Sequence, residues 1–151
     1  MARLPKDAPE AVEMLGVEGG QSVIAVGPDH GFAAALLGAV GDAGSVVVAS
    51  PPPDEDAPDG AQIVDAVADD ATADHVLGWV GIVSIPESRK LASHVKDGGS
   101  LWLVLPKVGR DKTAAVTEGE VKRAMLSAGW REERVVPLTT ESFAVRFRRR
   151  R

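Results

Sequence analysis

SVIAVGPDHGFAAALLGAV, residues 22–40, decides the fold. Residues 22–26 are a short apolar run rich in β-branched side chains, the pattern of a strand buried on both faces. GPDHG (27–31) follows as a tight loop. FAAALLGAV (32–40) is built from strong helix formers, and Gly41 is placed to stop that helix. Strand, glycine loop and helix in this order make an α/β unit.

Working outward, strands and helices continue to alternate, with no internal repeat. PEAVEMLG (9–16) predicts a short leading helix that Gly16 closes. VVVA (46–49), AQIVDAV (61–67), ADHVLGWVGIV (73–83) and SLWLVLP (100–106) predict four further strands. SPPPDEDAPDG (50–60) holds four of the ten prolines and reads as an exposed loop. PESRKLASHVK (86–96) fits a helix with Pro86 in its first turn, and DGG (97–99) a turn. Thr117 and Glu120 have capping-box spacing and open a helix that Gly129 caps. EERVVPL (132–138) and ESFAVRFRR (141–149) predict a closing hairpin. In its last strand Phe143, Val145 and Phe147 share one face, and Ala144, Arg146 and Arg148 the other. That second face predicts a side of the sheet not fully covered. The sum is a Rossmann-like three-layer α/β sandwich, a mostly parallel sheet of about seven strands with a C-terminal antiparallel hairpin.

Composition bounds the rest. The chain has 151 residues, 44% hydrophobic and 26% charged, which suits one globular domain over residues 1–151. With no cysteine, disulfides, thiolate metal sites and cysteine nucleophiles are excluded. No apolar run approaches the ~20 residues of a membrane span. The first residues, MARLPKDAPEAVEM, lack the apolar stretch of a secretory signal, so a cytoplasmic location is expected. Charge is divided unevenly: residues 1–80 carry net −12 and residues 81–151 net +7. The chain ends RFRRRR, with five arginines over residues 146–151. A basic tail of this kind attracts nucleic acid or an acidic partner, although short charge runs are usually solvated. Acidic and basic halves on one chain also favour self-association.

The order of elements resembles the class I S-adenosylmethionine-dependent methyltransferase fold over nearly the whole chain. VIAVGPDHG (23–31) sits where that family has its first strand and glycine-rich loop. VKDGGSLWLVLP (95–106) is similar to its fifth strand, and SAGWREERVVPLTTESFAVRFRRR (127–150) to its ending. The resemblance implies S-adenosylmethionine as cofactor, with Gly27, Asp29, Gly31, Ser50 and Asp65 as the residues at its site, and Asp69 as an alternative to Asp65. The sequence departs from the family pattern at several of them. Asp29 replaces the middle glycine of the loop, Ala25 takes the place of an acid two residues before Gly27, and Ser50 and Pro51 stand where an acid holds the ribose. The helix between the second and third strands is replaced by the proline-rich loop. DHVLGWV (74–80) with LWLVLPKVGR (101–110) also resembles a small uncharacterised domain family of high-GC bacteria, which carries no activity with it.

Other candidates have plainer readings. Asp29 suits the cationic end of a methionine-type ligand, and equally caps the following helix. His30 lies beside the loop as an acid or base near neutral pH, or as an exposed loop histidine. Asp54, Glu55, Asp56 and Asp59 lack the pattern of a calcium loop. Glu87 reads as a first-turn acid of a helix rather than a base. Lys107 and Arg110 follow the fifth strand, where ligands gather in parallel sheets, or line a surface loop. Trp79, Trp102 and Trp130 adjoin apolar stretches and read as core residues. His30, His75 and His94 have no metal-ligand spacing, so no metal and no catalytic residue is assigned. G-x-S-x-G, P-loop and G-x-G-x-x-G motifs are absent.

The expected function is therefore a catalytically silent methyltransferase-like domain in interaction or regulation, with a protein partner or a second copy. The alternatives are a minimal S-adenosylmethionine-dependent methyltransferase and a nucleic-acid accessory protein using Arg146–Arg151. No membrane role is expected.

Overall fold

The computed structural model describes residues 7–27, 30–49, 62–64, 67–79, 85–106, 118–138 and 142–149. The leading helix α1 (Ala8–Met14) starts at Asp7, whose Oδ1 accepts the Glu10 amide at 3.0 Å, and ends before Gly16 at φ +82°. Then come β1 (Ser22–Val26), α2 (His30–Val40), β2 (Ser45–Ala49), β3 (Gln62–Val64), β4 (Ala73–Trp79) and α3 (Ile85–Leu91). A 3₁₀ turn, Ala92–His94, leads into β5 (Val95–Pro106), followed by α4 (Glu118–Ser127), β6 (Trp130–Pro137) and β7 (Ser142–Arg149).

The strands form one seven-stranded sheet in the order β3-β2-β1-β4-β5-β7-β6. Strands β1 to β5 are parallel, and β7 runs antiparallel between β5 and β6. Apolar side chains cover both faces. On one, α1 and α2 pack Val12, Leu15, Phe32 and Leu36 against Val23, Val48, Leu77 and Trp102. On the other, Leu91 of α3 and Val121 and Met125 of α4 pack against Ile24, Val76, Leu103 and Phe147. The mostly parallel sheet with a terminal hairpin is as the sequence predicts.

One detail differs from the sequence reading. Residues 97–99 do not end a helix in a turn: α3 stops at Leu91, and β5 already begins at Val95. The added length pairs Val95 with Ala73 across an irregularity, before regular pairing resumes at His75 and Ser100. Gly98, at φ +80°, supplies the backbone freedom. Within the described residues the third and fourth strands are Gln62–Val64 and Ala73–Trp79, inside the stretches that the sequence predicts. The hairpin face carrying Ala144, Arg146 and Arg148 is not fully covered, as its sequence predicts. Ala144 is buried in the α1–α2 layer, whereas Arg146 lies over the Trp102 ring, 5.8 Å from its centroid. Thr117, the proline-rich segment 50–60 and residues 80–84 lie outside the described residues.

Candidate functional site

In a parallel sheet, ligands gather at the carboxyl ends of the strands, here the ends of β1, β2 and β4 beside the start of α2. Gly27 closes β1 there. It is buried, its φ is +85°, and its amide donates to the Ala49 carbonyl at 2.9 Å. A side chain at that φ would be strained, so glycine is needed for the turn out of the strand. Gly31 lies in the first turn of α2 and is exposed. It lines a groove between α1 and α2 together with Pro9, Glu13, Ala34 and Gly38. Beside the same edge, Phe32 and Trp79 meet edge to face, 5.1 Å between centroids at 78°.

Ala25, two residues before Gly27, is 0% exposed and belongs to the apolar layer under α1 and α2. Of the other predicted site residues, Asp29, Ser50 and Asp65 lie outside the described residues, as do Lys107 and Arg110. Asp69 is the alternative to Asp65 as the acid that follows the third strand. It is 93% exposed and pairs with Lys90 at 3.6 Å, near the end of α3 and away from the end of β3. Glu87 sits in the first turn of α3, as a dipole-stabilising acid should. Among the described residues no group of three histidines or acids is arranged to hold a metal ion, and no helix is long and apolar enough to cross a membrane.

The polar network that sequence reasoning missed lies at the opposite edge, where the strands begin. The Asp74 carboxylate accepts the Ser22 amide at 2.9 Å and the Ser22 hydroxyl at 3.1 Å. Those bonds, with help from Lys96 and His75, hold the Asp74 carboxyl below its ordinary pKa against the opposing effect of burial. Two of the three histidines are buried here. His94 Nδ1 donates to the Ala71 carbonyl at 2.7 Å, and His75 Nε2 donates to Gln21 Oε1 at 2.8 Å. The signal in the sequence was faint: a polar residue opening each of several apolar strands.

His75 gives this edge a pH response. Burial depresses its pKa below the ordinary 6.5, opposed by Asp74, assisted by Arg146 and opposed again by Glu18. Below pH 6.5 the unfolded chain therefore binds more protons at this position than the folded one, and acid favours unfolding. His75 is expected to leave stability flat above neutral pH and to remove up to about 1.4 kcal/mol per pH unit on the acid side. Urea titrations across that range check this. The slope should shrink in His75→Gln, and an unchanged slope would mean that other groups carry it.

Comparison with solved structures fixes the architecture. A SAM-dependent methyltransferase from Aquifex aeolicus superposes with a TM-score of 0.71 at 21% identity, covering 93% of this chain and 89% of that one. A TehB-like SAM-dependent methyltransferase from Corynebacterium glutamicum gives 0.69 at 12% identity, covering 95% and 87%. The chain has the class I S-adenosylmethionine-dependent methyltransferase-like fold. Aeropyrum pernix fibrillarin with natively bound S-adenosyl-L-methionine is similar at a TM-score of 0.64 and 13% identity, over 94% of this chain and 76% of that one. Likeness at these identities shows the fold alone. No protein-family model matches the sequence, and no curated protein matches it.

Proposed function

We propose that this methyltransferase-fold domain acts in interaction or regulation and does not transfer methyl groups. Ala25 carries this reading. It occupies the position where the resembled family has an acid, and its methyl group is packed with Val23, Leu36 and Val48 in an apolar layer. S-adenosylmethionine fits poorly against that residue. Ser50 and Pro51, in place of the ribose-binding acid, point the same way. One observation favours the second reading, a minimal methyltransferase: Gly27 keeps, at φ +85°, a backbone geometry that allows close approach of a ligand. Methyl transfer can rest largely on positioning, so the two readings part at donor binding.

Calorimetric titration of the full chain with S-adenosylmethionine and S-adenosylhomocysteine, with thermal shift beside it, separates them. No heat and no shift at millimolar ligand are expected. A ligand at 100 times its Kd adds about 2.7 kcal/mol, which raises Tm by about 5–10 °C in a chain of this size. A shift of that order would overturn the silent reading in favour of the enzyme.

A further inference from the structure

The β6–β7 hairpin places like charges opposite one another. Arg131 pairs directly with Arg148, and Arg134 with Arg146. Directly opposed residues of an antiparallel pair share a face, and Arg146 and Arg148 share one by strand alternation, so all four guanidinium groups stand on the same side of the sheet. The register shifts between Glu132 and Arg134, which leaves Glu133 as the additional residue of a bulge. The bulge aims Glu133 at the arginines: it pairs with Arg148 and lies 3.7 Å from Arg146. Among the described residues this is the one carboxylate within ion-pair distance of the four arginines.

Like charges opposite one another destabilise a hairpin. The strain registers at Arg146, whose pKa is lowered first by burial and then by Arg148, with Glu133 opposing and Arg134 adding to it. At the start of β5 a cavity of about 300 Å³ adjoins this face at Arg148, lined also by Lys96 and Asp97 and, from the other side of the hairpin, by Arg149 over the Trp130 ring. The sheet order separates this surface from the acidic half of the chain. Strands β3, β2, β1 and β4 come from residues 22–79, and β5, β7 and β6 from residues 95–149. Screening shortens the reach of the acidic half to about 8 Å at physiological salt.

We propose that the arginine face of the β6–β7 hairpin, with the adjoining cavity, binds the phosphodiester backbone of nucleic acid without reading its sequence. Arg146 and Arg148 are alternate residues of β7, about 6.8 Å apart along the strand, and Arg134 and Arg131 stand opposite them, a spacing suited to a repeating anion. Guanidinium forks bind phosphate oxygens in pairs. The aromatic rings beside the arginines, Trp102 and Trp130, are buried and offer no platform for bases, so contact with the backbone is the mode that fits. The inference deepens the interaction reading above by naming its partner by chemistry, and its own observations do not involve the donor site. It differs from the tail hypothesis in placing the contacts on a folded surface.

The test is fluorescence anisotropy of the full chain with a labelled mixed-sequence DNA duplex, over a series of salt concentrations. Neutralising three or four phosphates gives a slope of log K against log salt of about −3 to −4. Arg131→Ala with Arg148→Ala should remove about two units of that slope, while Arg150→Ala with Arg151→Ala removes less. Together these two changes remove one like-charge pair and one half-exposed ion pair, Glu133–Arg148, so Tm should hold and lost binding is not lost folding. Absence of binding at low salt overturns the inference, as does a slope carried wholly by Arg150 and Arg151. Salt-sensitive self-association in sedimentation, abolished by the Arg131 and Arg148 changes and with no DNA binding, also overturns it and makes a second copy the occupant. Loss of DNA binding alone leaves the interaction reading in place. Donor turnover with DNA binding retained removes that reading and leaves the arginine face.

Discussion

Replacing Trp102 by alanine is expected to cost about 3–5 kcal/mol, a large share of the 5–15 kcal/mol that holds a domain of this size together. Trp102 is 0% exposed and heads the fully buried side chains by volume. It stands on β5, with β4 on one side and β7 on the other, and faces the layer formed by α1 and α2. Three parts of the chain meet around it, so little can move into the space that its removal leaves. The Arg146 guanidinium also loses the ring beneath it. Trp102→Phe keeps an aromatic face and most of the volume, and should cost well under half as much. Urea unfolding of both variants checks this. An alanine variant within about 1 kcal/mol of the parent would mean that the α1–α2 layer is not held to the sheet through this residue.

The architecture was legible because the inner strands announce themselves. SVIAV, SVVVA and SLWLVLP are continuous apolar runs since each is buried on both faces, and the glycines at 16, 41 and 129 mark helix ends by positive φ. The beginning of β5 was not legible. Lys96, Asp97, Gly98 and Gly99 have the chemistry of a turn, yet they lie within a strand. Gly99 belongs there for a steric reason: a Cβ on it would come within 2.6 Å of the Asp74 carbonyl oxygen. Pairing decided the local structure against propensity. The same limit applies to the arginine face. Composition showed that the C-terminal region is basic, but Arg131 faces Arg148 and Arg134 faces Arg146 because of a bulge at Glu133, and no local sequence signal marks that bulge. For the candidate site, Gly27 was legible from its place after an apolar strand. What the sequence could not show about Ala25 was the depth at which it lies.

That depth sets the outcome of restoring the acid. Ala25→Asp returns the residue type that the resembled family carries before its glycine loop, and two results are physically distinct. If the surroundings of the side chain were still polar, a carboxylate would be accommodated and donor affinity would appear. The structure argues for the other result. Ala25 lies on the inner strand β1 between β2 and β4, opposite Val48 on one side and Leu77 on the other. Both of those residues, like Ala25, are buried in the layer under α1 and α2. A carboxyl group placed there loses water and must crowd a packed layer, at a cost of about 2–7 kcal/mol before any gain from a ligand. It would be held neutral by burial, which removes the negative charge that made it useful. The expected result is a fall in Tm of about 5–20 °C with no donor binding. Thermal unfolding with and without S-adenosylhomocysteine measures both quantities at once. A variant that keeps its Tm and gains a ligand shift would show that the donor site needs one side chain to be complete. A variant that loses stability and gains nothing would show that the core is built around the alanine, so that a single substitution does not return the domain to methyl-donor binding.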